Sequence, residues 1–138
     1  MVTIVILIGV RTAANAQSLV VEITWNAGLT YRGLMVTYPD NTGVFVVGYF
    51  HPGLQQMVKF VQSVDVRNQY DVYGNCTSFL NCYNPQSYPY IPYSADMFIV
   101  YPNGRMYTQD AAGTWSTAKA DSVIQPAYWQ MKFREYGL

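Results

Sequence analysis

From Leu19 onward the chain is a succession of short runs rich in Val, Ile, Thr, Tyr and Phe, each closed by a cluster of Gly, Pro, Asn or Asp. β-Branched and aromatic residues suit a pleated, half-buried surface, and the closing clusters turn the chain. Residues 58–66 show the pattern. Val58, Phe60, Val64 and Val66 fall on one side, and Lys59, Ser63 and Asp65 on the other. A period of two is the mark of a strand with one buried face. Further strands are expected over 19–25, 30–38, 44–50, 97–101 and 105–109. Gly33, inside the second of these, marks a bulge or a close approach of backbone to a neighbour. The last strand is expected over 127–134, where Ala127, Trp129, Met131 and Phe133 alternate with Tyr128, Gln130, Lys132 and Arg134.

Two turns share one chemistry. Tyr38-Pro39-Asp40-Asn41 and Tyr101-Pro102-Asn103-Gly104 each follow an apolar strand. Pro suits the second position of a type I turn, Asp or Asn the third, and the Gly close behind takes the left-handed position that follows. Both are read as hairpins that share turn chemistry, not ancestry. Helical spacing is rare. Leu54, Met57, Val58 and Val61 fit it, but the alternation continues past Val61. A loop over 51–56 between antiparallel strands is therefore preferred to a short helix over 54–63. The expected fold is all-β, an antiparallel meander of six to eight strands with at most one short helix, closed as a small barrel or folded as a sandwich.

Residues 1–16 stand apart. A nearly unbroken apolar run over 2–10 leads to Ala14-Asn15-Ala16, the small-residue pattern of a signal-peptide cleavage site. No basic residue precedes the run. The competing reading is therefore an N-terminal strand, even one that completes the sheet of another copy. The run is about half the roughly 20 apolar residues that a membrane span needs. Residues 17–138 then form one domain, large enough to build its own core. A secreted or periplasmic location follows from the signal-peptide reading.

In such a compartment Cys76 and Cys82 are expected to form a local disulfide that clamps a loop. Asn75-Cys76-Thr77 is also an N-glycosylation sequon. Just beyond lies Tyr83-Asn84-Pro85-Gln86-Ser87-Tyr88-Pro89-Tyr90-Ile91-Pro92-Tyr93. Proline gives no hydrogen to a sheet ladder, so the stretch is expected to be an extended loop, within a long connection over 68–94. Tyr83, Tyr88, Tyr90 and Tyr93 are the candidate ligand-binding residues. They either pack down over the barrel mouth as a lid or present rings to a carbohydrate, a peptide or a protein.

The remaining inventory is sparse. Eight Lys and Arg balance eight Asp and Glu, and no basic run occurs. A nucleic-acid partner is not expected. With one histidine and two cysteines, neither a metal site nor a cofactor is expected. The carboxylates are scattered, and no catalytic motif is present. The leading function is therefore a non-enzymatic binding module. The alternatives are an assembly subunit of an extracellular fibre or surface layer, and a small hydrolase or hydrolase inhibitor.

Overall fold

The computed structural model of this protein describes residues 18–110 and 112–137. The expected signal peptide or N-terminal strand, 1–16, lies outside the described residues. The fold is an eight-stranded antiparallel barrel: β1 (Leu19–Ala27), β2 (Leu29–Thr37), β3 (Thr42–His51), β4 (Gln56–Tyr70), β5 (Cys76–Tyr88), β6 (Met97–Val100), β7 (Met106–Gln109) and β8 (Trp115–Val123). Each strand pairs with the next, and β8 returns to β1 to close the sheet. Closure settles barrel against sandwich. One short helix, α1 (Trp129–Glu135), follows a 3-10 turn over Pro126–Tyr128. No described helix is long and apolar enough to cross a membrane.

The turns carry out the chemistry of their residues. The backbone N–H of Tyr38 donates to Thr42 O and that of Tyr101 to Arg105 O, closing two five-residue hairpin loops. Asn41 (φ 66°) and Gly104 (φ 85°) take the left-handed position in them. The same bond pattern recurs from Asp71 to Asn75, with Gly74 left-handed, and from Asp110 to Thr114, with Gly113 left-handed. Four copies of one turn, in otherwise dissimilar surroundings, support shared local chemistry. The loop preferred after β3 is also present, with Leu54 N–H donating to His51 Nδ1 at 3.0 Å.

Antiparallel partners share a face, so the register defines the interior. Trp25 pairs with Tyr31, Met35 with Phe45, Val47 with Phe60, Val64 with Cys82, and Leu80 with Phe98. An eight-stranded barrel is just wide enough for side chains to fill it or for one small ligand. Here Phe45, Phe60 and Phe98 are fully buried and fill its middle. The Phe45 and Phe98 rings meet edge to face at 5.3 Å, and Trp25 meets Phe98 edge to face at 5.2 Å. Gly33 lies under this layer. A Cβ there would stand 2.6 Å from Phe45 Cζ, so Gly33 is a close-approach point, as expected.

Three expectations are corrected. The stretch 127–134 is not a strand. Trp129 and Phe133 are buried one helical turn apart, while Met131 is 45% exposed. Residues 129 and 133 fit both periods; only what they pack against separates them. They lie on the outside of the barrel against Val20, Leu34 and Val36, with Trp129 Nε1 donating to Ile124 O at 2.8 Å. The closing strand is instead β8, whose sequence WSTAKADSV has little strand character. Ala118 and Ala120 pair with Trp25 and Ile23, so small residues on β8 leave room for large ones on β1.

The second correction is the long loop over 68–94. Most of it is strand, in the hairpin of β4 and β5. Pro85 is accommodated because the register slips there: Val61 pairs with Gln86 but Ser63 with Tyr83, and Asn84 is left-handed at φ 52°. A bulge thus absorbs the proline. The third correction is the disulfide. Cys76 and Cys82 are free thiols on one strand, β5. Six residues of strand separate their Cα atoms by about 20 Å, against a limit near 7 Å for a disulfide.

Candidate functional site

Only the last part of the Tyr/Pro-rich stretch remains a connection, between the end of β5 and the start of β6. It crosses the mouth of the barrel formed by the ends of β1, β3, β5 and β7. Ile91 and Tyr93 turn inward and join the core cluster. Tyr93 stacks on Phe60 with ring centroids 3.7 Å apart. Ser87 Oγ ties the crossing down, donating to Ile91 O at 2.9 Å and accepting from Ile91 N–H at 2.8 Å.

Asp96 follows, just before β6. The backbone N–H of Cys82 donates to Asp96 O, extending the β5–β6 ladder by one pair. The alternation that places Phe98 and Cys82 inside therefore also aims Asp96 inside. Tyr93 Oη donates to Asp96 Oδ1 at 2.9 Å and lies 3.1 Å from Oδ2. Gln62 Nε2 donates to Oδ2 at 2.7 Å, and Gln62 Oε1 accepts the Asp96 N–H at 2.9 Å. All of these partners are neutral, and no described Lys or Arg pairs with the carboxylate. Burial pushes the Asp96 carboxyl up to about 6, although the bonds from Gln62 and Tyr93 pull it down. Burial and the nearby Asp96 charge push the Tyr93, Tyr31 and Cys82 groups upward as well, so these stay neutral.

Above this carboxylate is a cavity of about 160 Å3. Trp25, Tyr31 and Tyr93 wall it, with Thr108, Ser116 and Asp110 also in its lining. The Trp25 and Tyr31 rings stack at 5.3 Å, and Tyr31 leans on Tyr49 at 4.9 Å. The cavity is thus concave, aromatic and built around one desolvated charge, which is the usual make-up of a binding site.

A larger hollow, about 470 Å3, lies on the outer wall of the barrel beside the C-terminal segment. Met57, Lys59, Arg32, Tyr88 and Glu135 line it. It carries both signs of charge and belongs to the surface where the helix docks. Glu22 accepts from Arg32 Nε at 2.9 Å and from Tyr136 Oη at 2.6 Å there, with Lys132 Nζ 3.5 Å away. Burial raises the Glu22 carboxyl, but the hydrogen bonds from Arg32 and Tyr136 and the two cations outweigh it and hold it below its usual range. This cluster has its charges compensated; the mouth does not.

The four candidate tyrosines therefore part company. Tyr93 enters the barrel and touches Asp96. Tyr88 lies on the outer wall, with Oη donating to Gln86 Oε1 at 3.1 Å. Tyr83 is exposed on β5, and Tyr90 is 84% exposed on the crossing segment. Sequence reasoning missed Asp96, Gln62, Tyr31 and Trp25 as a group. One signal was available: Gln62 interrupts the apolar row of Val58, Phe60, Val64 and Val66, and it is 1% exposed. A polar residue inside such a row needs a buried partner. Its identity as Asp96, 34 residues on, is decided only by the closed sheet. Comparison of the chain with family models, curated protein sequences and solved structures finds no match in any of the three.

Proposed function

We propose that this protein is a non-enzymatic binding module, exported through removal of residues 1–16, whose ligand sits at the covered mouth of the barrel. The observation that carries this reading is the cavity of about 160 Å3 walled by Trp25, Tyr31 and Tyr93 over the Asp96 carboxylate. The loop between β5 and β6 builds one wall, with Tyr93 already held by Phe60 and Asp96 before any ligand arrives. Such pre-organisation lowers the ordering cost of binding. Export is supported by the apolar run and the Ala14-Asn15-Ala16 pattern.

The test is a thermal-shift screen of small molecules against the exported protein. A ligand that binds only the folded state raises Tm, by an amount that grows with the logarithm of its concentration once that exceeds Kd. Hits are expected to shift the wild-type protein and the double variant Tyr83→Ala/Tyr90→Ala alike. They are expected to leave Ser116→Tyr unshifted, because the added ring fills the cavity. N-terminal sequencing of the same sample should read Gln17 or Ser18.

One observation favours a second reading, contact with a peptide or protein partner. Tyr90, on the crossing segment, and Tyr83, on β5, are both exposed, although large rings are usually covered at least in part. Hits that survive Ser116→Tyr but vanish with Tyr83→Ala/Tyr90→Ala would move the site from the mouth to this outer surface.

A further inference from the structure

Asp96 poses a problem of charge. A carboxylate taken out of water is costly unless a cation or several donors compensate it. Its donors are the amide of Gln62 and the hydroxyl of Tyr93, both neutral. Its oxygens keep acceptor capacity beyond these bonds, since an ionised carboxylate offers about four lone-pair sites. The carboxylate keeps some contact with the cavity, because Asp96 is only partly covered and is among the lining residues. That lining includes a second carboxylate, Asp110, and no Lys, Arg or His. Asp110 Oδ1 is committed to its own turn, accepting from the N–H groups of Ala112 and Thr114, and adds a negative charge to the lining.

The geometry points to a small organic cation, a protonated or quaternary amine, as the ligand of the barrel mouth, with Asp96 as its counter-charge and the rings of Trp25, Tyr31 and Tyr93 as its walls. This rests on the mouth being a binding site at all. An anion would meet two carboxylates and no cation. A neutral molecule would leave Asp96 uncompensated. An ammonium group supplies the missing charge, and aromatic walls favour it further through their π-electrons. A hard metal ion is a poor fit, because it asks for six or so oxygen ligands. Among the described residues no three His, Cys, Asp or Glu side chains gather to hold one. Size sets a limit as well: about 160 Å3 is the volume of roughly five waters, so the cation is small.

Proton linkage follows from the same group. Facing Asp96 are Tyr93 from the crossing segment, Tyr31 from β2, Cys82 from β5 and Gln62 from β4, with Asp110 in the same cavity lining. Tyr31, Tyr93 and Cys82 are shifted upward and stay neutral across the acidic range. Asp96, raised to about 6, loses its charge as the pH falls below that value. A cation therefore binds more weakly on the acid side.

Isothermal titration of the full folded protein with two matched pairs tests this. One pair is choline and its neutral carbon isostere, in which a tert-butyl group replaces the trimethylammonium. The other is butylamine and butanol. At least one cation is expected to bind about tenfold tighter than its neutral partner, a difference of about 1.4 kcal/mol. That preference should disappear in Asp96→Asn, and in the wild-type protein the cation should weaken as the pH is lowered through 6. Equal binding of cation and neutral partner, both blocked by Ser116→Tyr, overturns the cation and leaves the mouth as a site. A preference untouched by Asp96→Asn overturns it too. If neither pair binds, the cation reading fails, and the thermal-shift screen decides the mouth separately. Should Asp96→Asn not fold, the wild-type selectivity and its pH profile still decide.

Discussion

Asp96 and Glu22 are both partly desolvated carboxylates, yet their environments drive them in opposite directions. Asp96 has neutral partners and is raised to about 6 from its ordinary 3.8. Its contribution to stability is therefore fully present below about 3.8 and is lost as the pH rises through about 6. Relative to Asp96→Asn, the wild-type protein should lose Tm across that interval, which thermal denaturation followed by circular dichroism measures. Glu22 has Arg32, Lys132 and Tyr136, and its carboxyl is held below 4.5. Its contribution is present above that value and lost as the pH falls. Glu22→Gln should thus lower Tm at neutral pH and matter much less in acid. At Gly33 the issue is space rather than charge. A methyl group would collide with the fully buried Phe45 ring and with Val46 O. Gly33→Ala is expected to cost about 1–3 kcal/mol in chemical denaturation, the usual range for overpacking a core.

Elements formed where local chemistry and burial agree, and were misread where only burial decides. The turns after β2 and β6 were legible from Tyr-Pro-Asp and Tyr-Pro-Asn, because a left-handed Asn or Gly is a local requirement. The C-terminal segment was not. Trp129 and Phe133 satisfy the period of a strand and of a helix alike, and the outer wall of β1 and β2 selects the helix. Trp129→Ala should therefore cost about 3–5 kcal/mol, the range for an aromatic lost from a core. Met131→Ala, on the exposed face, should cost less than about 0.5 kcal/mol. A strand in that place would have made the two costs similar. β8 was missed for the converse reason: Ala118 is small opposite the large Trp25, and Ser116 lines the cavity at the mouth, so no apolar row signals the strand. β5 kept its pairing through Pro85 by a bulge. Since Cys76 and Cys82 lie along that one strand, both are expected as thiols. Native alkylation should modify Cys76, which is partly exposed, while the buried Cys82 should react only after unfolding, as read by intact mass.

At the scale of the molecule, closure is what makes a site. Pairing of β8 with β1 brings Trp25, Tyr31, Gln62, Tyr93 and Asp96, drawn from three strands and a connection, to one end of the barrel. Closure also pairs most of the edges that an assembly by strand exchange needs. The outer side of β5 beyond its pairing with β6 stays open, but it is blunted by Pro85 and its bulge. The all-β class, six of the eight strands and the Pro-containing turns were determined by the sequence itself, because side-chain period and turn preference act over a few residues. The barrel, the helix on its outer wall, the separation of the two thiols and the meeting of Gln62 with Asp96 were decided only in three dimensions. Each depends on what lies across the sheet, and a strand's own residues do not encode their distant neighbours.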